Sequence, residues 1–134
     1  MGEDEDGIRR TIAEYSQRCD DGEFDRWAEL FTEDARLVFG EHATEGRAAI
    51  KAYMEQLQPP AARGKHITGS ILVDVDGTTA AATTDYLFVR PSASGLELIA
   101  AGRYYDQLVR GGSRWQFSQR TITMLGLPAQ VSNG

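Results

Sequence analysis

The chain has 134 residues and a formal net charge of -6, with 41% apolar and 25% charged residues. That length fits one globular domain able to bury about two-thirds of its unfolded surface without a disulfide or a metal. The acidic balance argues against a nucleic-acid partner, which selects a basic face, and the lone Cys19 excludes a disulfide framework or a thiolate metal cluster.

Taken in order, residues 1–6 are so charged that they read as a disordered acidic tail. They lack the basic-then-apolar order of a signal peptide, and no run approaches the roughly 18 apolar residues of a membrane span, so the expectation is a cytoplasmic protein without a membrane partner. Ile8, Ile12, Tyr15 and Cys19 mark one face of a first helix. Cys19 on that stripe reads as buried packing. The acidic turn from Asp20 to Glu23 breaks the helix, and Phe24, Trp27, Ala28, Leu30 and Phe31 predict a second, short one. A brief strand over 35–39 ends at Gly40. Ile50, Tyr53, Met54 and Leu57 share a face of a third helix over 47–57, which Pro59-Pro60 stops.

The period then changes. Strands over 66–75 and 78–90 flank the hairpin signal Asp76-Gly77, a loop at 91–95 leads to a strand over 97–109, and Gly111-Gly112 turns into a last strand over 114–124. Helices first and long hairpins second is the α+β pattern, one curved antiparallel sheet with helices on one side. The domain spans 7–126, with a flexible tail over 127–134. In the strands over 78–90 and 97–109 neither face is cleanly polar, unlike a sheet with one wet face. The expectation is that helices cover one face and a second copy of the chain, as a dimer or trimer, covers the other.

Familiar catalytic signatures are absent: no glycine-rich phosphate loop, no G-x-S-x-G elbow and no H-E-x-x-H pair. The only histidines are His42 and His66, so no zinc site is expected. What remains is cofactor-free acid–base chemistry, or binding. Asp20 has two readings. Followed by Glu23 three residues later, it fits a capping box as the N-cap of the second helix. It could also orient His66, because a carboxylate on one imidazole nitrogen fixes the tautomer and raises the basicity of the other. His66 alternates with Thr68, Ser70 and Leu72, a row that faces either water or a polar cavity, while Ile67, Ile71, Val73 and Val75 form the more apolar row. Tyr15 is either a core aromatic or a donor to a developing oxyanion. His42, beside Glu41, reads as an exposed loop residue.

These residues carry a resemblance. Tyr15-x4-Asp20, Asp25-x4-Leu30-Phe31-x2-Asp34-Ala35, Gly46-x3-Ile50, Lys65-His66, Ala101-Gly102-Arg103-Tyr104 and Trp115 resemble, nearly end to end, the SnoaL-like branch of the nuclear-transport-factor-2-like fold. The resemblance implies a cone, a curved sheet around helices with a deep pocket in its mouth. That fold hosts several enzyme classes and plain binding modules. Within the branch the chain is similar to scytalone dehydratase, the lindane dehydrochlorinase and the bile-acid dehydratase, where an aspartate ending the first helix pairs with a histidine opening the long strand. Asp20 and His66 fall on those positions, and Tyr15 on an active-site tyrosine.

Phe39 stands where ketosteroid isomerases keep their aspartate base, which removes that mechanism's base. Scytalone dehydratase's second histidine has no counterpart over 78–90. The resemblance therefore implies a cofactor-independent lyase of dehydratase type, acting on a hydrophobic small molecule: a hydroxylated cyclic or polyketide-like carbonyl compound. Catalytic residues would be Asp20, His66 and Tyr15, and Phe39, Tyr53, Met54, Leu57 and Arg120 would line the pocket. The alternatives are an isomerase or cyclase of a polyketide or steroid-like ketone, and a non-catalytic binding module or subunit.

Overall fold

The computed structural model describes residues 2–126; the expected tail over 127–134 lies outside them. Helix α1 (Gly2–Asp20) carries the apolar stripe Ile8, Ile12, Tyr15 and Cys19, each no more than 2% exposed. It begins five residues before the expected domain start, which corrects the reading of 2–6 as a disordered tail. Glu3, Asp4 and Glu5 occupy its first turn, where negative charge complements the helix dipole. Asp4 also accepts hydrogen bonds from Arg110 Nη1 (3.2 Å) and Trp115 Nε1 (3.3 Å), ties invisible to a local reading of charge.

Gly22, at φ +74°, ends α1. Its N–H donates to Cys19 O (3.0 Å) and the Glu23 N–H to Arg18 O (2.8 Å), the paired bonds of a Schellman motif. Asp20 is thus the last helical residue of α1, facing inward with the stripe. Helix α2 (Phe24–Ala28) follows, with Glu23 at its N-cap and no side-chain cap. The capping-box reading of Asp20 is therefore wrong; its carboxylate is engaged elsewhere.

Strand β1 (Phe31–Phe39) starts earlier than expected, and the two-residue turn Gly40-Glu41 folds it onto β2 (His42–Glu45), so His42 is an exposed strand residue rather than a loop one. Helix α3 (Arg47–Leu57) has the expected bounds, with Ile50 and Met54 buried. A single 3₁₀ turn, Pro60–Ala62, leads into β3 (Lys65–Asp76), β4 (Thr79–Ser92), β5 (Gly95–Gly111) and β6 (Arg114–Met124). The six strands lie in the order β2-β1-β6-β5-β4-β3. Every pairing is antiparallel except β1 with β6, which is parallel. The hairpins fix the direction of β6, and β1, arriving from α2, runs alongside it.

Bulges bend the sheet and change which side chains face inward. One lies between Gly69 and Leu72 of β3, where Ser70 has φ +51°. Before it His66 and Thr68 point in; after it Ile71 and Val73 do. Neither alternating row in the sequence is one face of the strand. A second bulge opposite Phe88 and Val89 leaves Leu98 60% exposed although its alternation partner Tyr104 is buried. A third, on β6 opposite Gln107 and Leu108, brings Phe117 and Arg120 to the same interior. Helix α1 packs across β3 and β6, and α3 against β1 and α2, closing the core over the inner sheet face. Among the described residues no helix is long and apolar enough to cross a membrane.

Candidate functional site

Asp20 and His66 meet, although 46 residues separate them. Asp20 Oδ2 accepts the main-chain N–H of His66 at 2.9 Å, and Asp20 Oδ1 lies 2.6 Å from His66 Nδ1. A carboxylate can only accept, so Nδ1 carries the hydrogen, and in the neutral ring Nε2 keeps its lone pair. The two side chains are 3% and 13% exposed, and the imidazole packs on the Phe88 ring, centroids 4.4 Å apart. The geometry follows from local structure. The Schellman turn stops α1 one residue after Asp20 has turned inward, and β3 begins with its first inner-face residue opposite that helix end.

His66 lines a cavity of about 250 Å³ under the helices. Tyr15, Phe39, Met54 and Leu57 line it too, at the expected pocket positions. Two expected lining residues do not. Tyr53, half-buried at the edge of the core, stacks on His42 instead (centroids 4.7 Å apart, 19° between planes). Arg120 lies in the core, fully buried, with Nε and Nη2 on the Asp106 carboxylate at 2.7 and 2.8 Å. Its guanidinium stacks on Tyr104 (3.8 Å), Tyr15 (4.2 Å) and Phe117 (4.4 Å). The β6 bulge, which sequence alternation does not show, sends it there.

The sequence reading missed Tyr86, Phe88, Arg90 and Tyr104 as lining residues. The even-numbered face of β4 carries the first three in register, a signal present in the strand's alternation. Tyr86 donates its hydroxyl to Thr123 O at 2.9 Å and stacks on Tyr104 at 4.4 Å, planes 8° apart. Gly102 permits this arrangement, because any Cβ there would run into the Thr123 carbonyl and the Tyr86 ring.

Burial pushes the Tyr15 phenol well above its ordinary value, with the Arg120 guanidinium opposing, and burial does the same to Tyr104. Tyr15 is therefore protonated at neutral pH and able to donate. Burial, with the Asp20 carboxylate beside it, pushes the Cys19 thiol up to about 12, so it is no thiolate nucleophile. Below pH about 10, the ordinary phenol value, folded and unfolded chains hold the same tyrosine protons. Above it the unfolded chain releases protons that Tyr15 and Tyr104 keep, so stability should fall as pH rises. In an absorbance titration these two phenols should ionise only together with the loss of near-ultraviolet circular dichroism. Phenolate signal from all five tyrosines in a still-folded chain would refute this.

Among the described residues no three His, Cys, Asp or Glu side chains gather in a group that could hold a metal. Residues 2–121 match the family described as SnoaL-like domain. The chain belongs to that family. No curated protein matches it significantly. Solved structures place the SnoaL-like chain beside an NTF2-like protein with a cystatin-like fold from Novosphingobium aromaticivorans. That neighbour is 28% identical, with 95% of this chain and 86% of that one covered and a TM-score of 0.86. A protein of unknown function from Mycobacterium tuberculosis is 26% identical, covering 92% of this chain and 72% of that one, with a TM-score of 0.85. A candidate scytalone dehydratase from Novosphingobium aromaticivorans is 23% identical, covering 90% and 83%, with a TM-score of 0.80; at that identity the likeness concerns the fold. The SnoaL-like fold thus presents, in this chain, a carboxylate-held imidazole at the wall of an apolar cavity.

Proposed function

We propose that the protein is a cofactor-independent lyase of dehydratase type, acting on a small hydroxylated cyclic or polyketide-like carbonyl compound. The observation that carries this reading is the Asp20–His66 pair, bonded at 2.6 Å, with the imidazole on the wall of the cavity. His66 Nε2 takes the proton beside the substrate carbonyl, and the C–H electron pair forms the enolate. The enolate then expels the β-hydroxyl, which leaves as water with a proton from the imidazolium or from Tyr15. Asp20 holds the tautomer and balances the imidazolium charge, and Tyr15 donates to the oxygen that gains charge. The lining agrees with such a substrate: mostly apolar walls and a volume below the roughly 300–1,000 Å³ usual for drug-sized ligands, which suits one or two fused rings. Family membership supports the reading in its coarse form, and the fold neighbour described as a candidate scytalone dehydratase is consistent with it.

The test is a panel of cyclic β-hydroxy ketones with product masses measured. A product lighter by one water supports the lyase; one of equal mass moves the assignment to an isomerase or cyclase using the same pair. A stable protein partner, with function unchanged in Asp20→Asn and His66→Ala, would point instead to a binding module.

A second copy of the chain is the proposed partner of the outer sheet face. Ile67 and Leu87 form one cross-strand pair there, Leu72 and Tyr105 flank Thr83, and these four are 54%, 43%, 71% and 47% exposed. The exposed Asp85–Arg103 ion pair lies between the two groups, and the large apolar side chains on either side of it are what a second copy would cover. Light scattering at micromolar concentration should give at least twice the 14.8 kDa of one chain, and a monodisperse monomer would rule the assembly out.

A further inference from the structure

We infer that the substrate carries a carboxylate, and that Arg90 receives it at the mouth of the cavity. The inference rests on the reading above that this cavity holds the substrate, and it narrows the substrate to an acid. Arg90 extends the inner face of β4, two residues beyond Phe88, which is the cross-strand partner of His66. It lines the same cavity as His66 and Tyr15. Residues two apart on a strand lie about 7 Å from one another, so Arg90 is one such step along β4 from the position opposite His66, and both side chains line the one cavity.

The state of that guanidinium sets it apart. Among the described residues the other arginines each have a polar partner. Most pair with carboxylates, while Arg9 and Arg63 donate to main-chain carbonyls. Arg90 forms neither kind of contact with any described residue, although it is half-buried. Its cross-strand neighbour Glu97 is exposed and makes no ion pair with it. A half-withdrawn arginine with no partner among the described residues, on a cavity whose walls are otherwise mainly apolar, is placed for a ligand anion. A carboxylate suits it best, because its two oxygens match the planar fork of the guanidinium. The overall charge of -6 disfavours anions at long range, but that field is screened beyond about 8–10 Å in physiological salt. The local cation therefore decides recognition. Anchored there, an acid presents a more distant carbon to His66 and leaves its rings against Phe39, Met54 and Ile99.

The test compares 2-naphthoate with its neutral amide, 2-naphthamide, by calorimetric titration into the intact protein at low salt. The wild type should bind the naphthoate about ten- to a hundredfold more tightly, the worth of a charge-assisted bond. Arg90→Gln should abolish that preference without weakening the amide. Arg90→Lys should restore part of it, and Arg63→Gln should leave it intact. Equal affinity for the two probes in the wild type, a preference that survives Arg90→Gln, or no naphthoate binding at millimolar concentration overturns the proposal. A preference lost in His66→Ala but kept in Arg90→Gln overturns it too, by placing the carboxylate on the imidazole. A ketone panel that includes carboxylated members and stays inactive, with the Arg90-dependent preference intact, sinks the lyase reading and leaves this one standing; turnover without the preference does the reverse.

Discussion

Asp20→Asn should lower turnover about as severely as His66→Ala, each by about 10²–10⁴-fold, the usual share of a positioned general base. The asparagine case is the sharper, because the volume hardly changes. The His66 main-chain N–H can only donate, and it points at Asp20 Oδ2. In the variant the amide oxygen must stay there, which turns the amide NH₂ toward Nδ1. Nδ1 then has to accept, the ring hydrogen moves to Nε2, and the nitrogen left for the cavity can no longer take a proton. The main chain thus forces the unproductive tautomer. Steady-state kinetics with a panel substrate, alongside ¹⁵N chemical shifts of the imidazole, would check both halves of the argument. An Asp20→Asn enzyme with near wild-type turnover would remove the pair from the chemistry. A variant that merely unfolds is recognised by its lost near-ultraviolet circular dichroism.

The second large effect concerns stability. Asp106→Ala should cost about 3–5 kcal/mol in denaturant unfolding, because it strands a fully buried guanidinium. Burial works against the charge on Arg120, and the Asp106 carboxylate more than offsets it, holding the group firmly protonated. With the carboxylate gone only the faces of Tyr15, Tyr104 and Phe117 remain, and such contacts are worth about 2 kcal/mol when desolvated. The double replacement Asp106→Leu with Arg120→Met should recover most of the loss, since it removes both charges and keeps the volume. A domain of this kind has about 5–15 kcal/mol in total, so the single variant should also express poorly. A loss under about 1 kcal/mol, the worth of an exposed pair, would mean that the pair is solvated. Arg120 also underlies the Tyr15 ring, so the double variant reports whether that support matters to turnover once stability is restored.

The pairing of Asp20 with His66 was legible only in part. Local sequence offers Asp20 an N-cap role and His66 a solvent-facing row, and each is reasonable by itself. What pointed to the pair was their agreement with a family pattern along nearly the whole chain. Tyr15, Phe39, Met54 and Leu57 reached the cavity because helix and strand periodicity carried them there without interruption. Arg120 did not, because a bulge redirected it into the core, and Tyr53 packs at the core's edge against the His42 ring. Arg90 was passed over because an arginine near a strand end reads as a solvated charge until its surroundings are known.

By itself the sequence determined what repeats at short range: the apolar stripe of α1, the bounds of α3, the hairpins around Asp76-Gly77 and Gly111-Gly112, and hence the α+β class. These follow from hydrophobic period and turn chemistry, which act over a few residues. Tertiary structure alone decided the parallel union of β1 with β6, the helical start at Gly2, and the face taken by each strand residue beyond a bulge. It also decided which charged groups meet. Those outcomes depend on partners dozens of residues away, and one extra residue in a strand reverses every side chain that follows it.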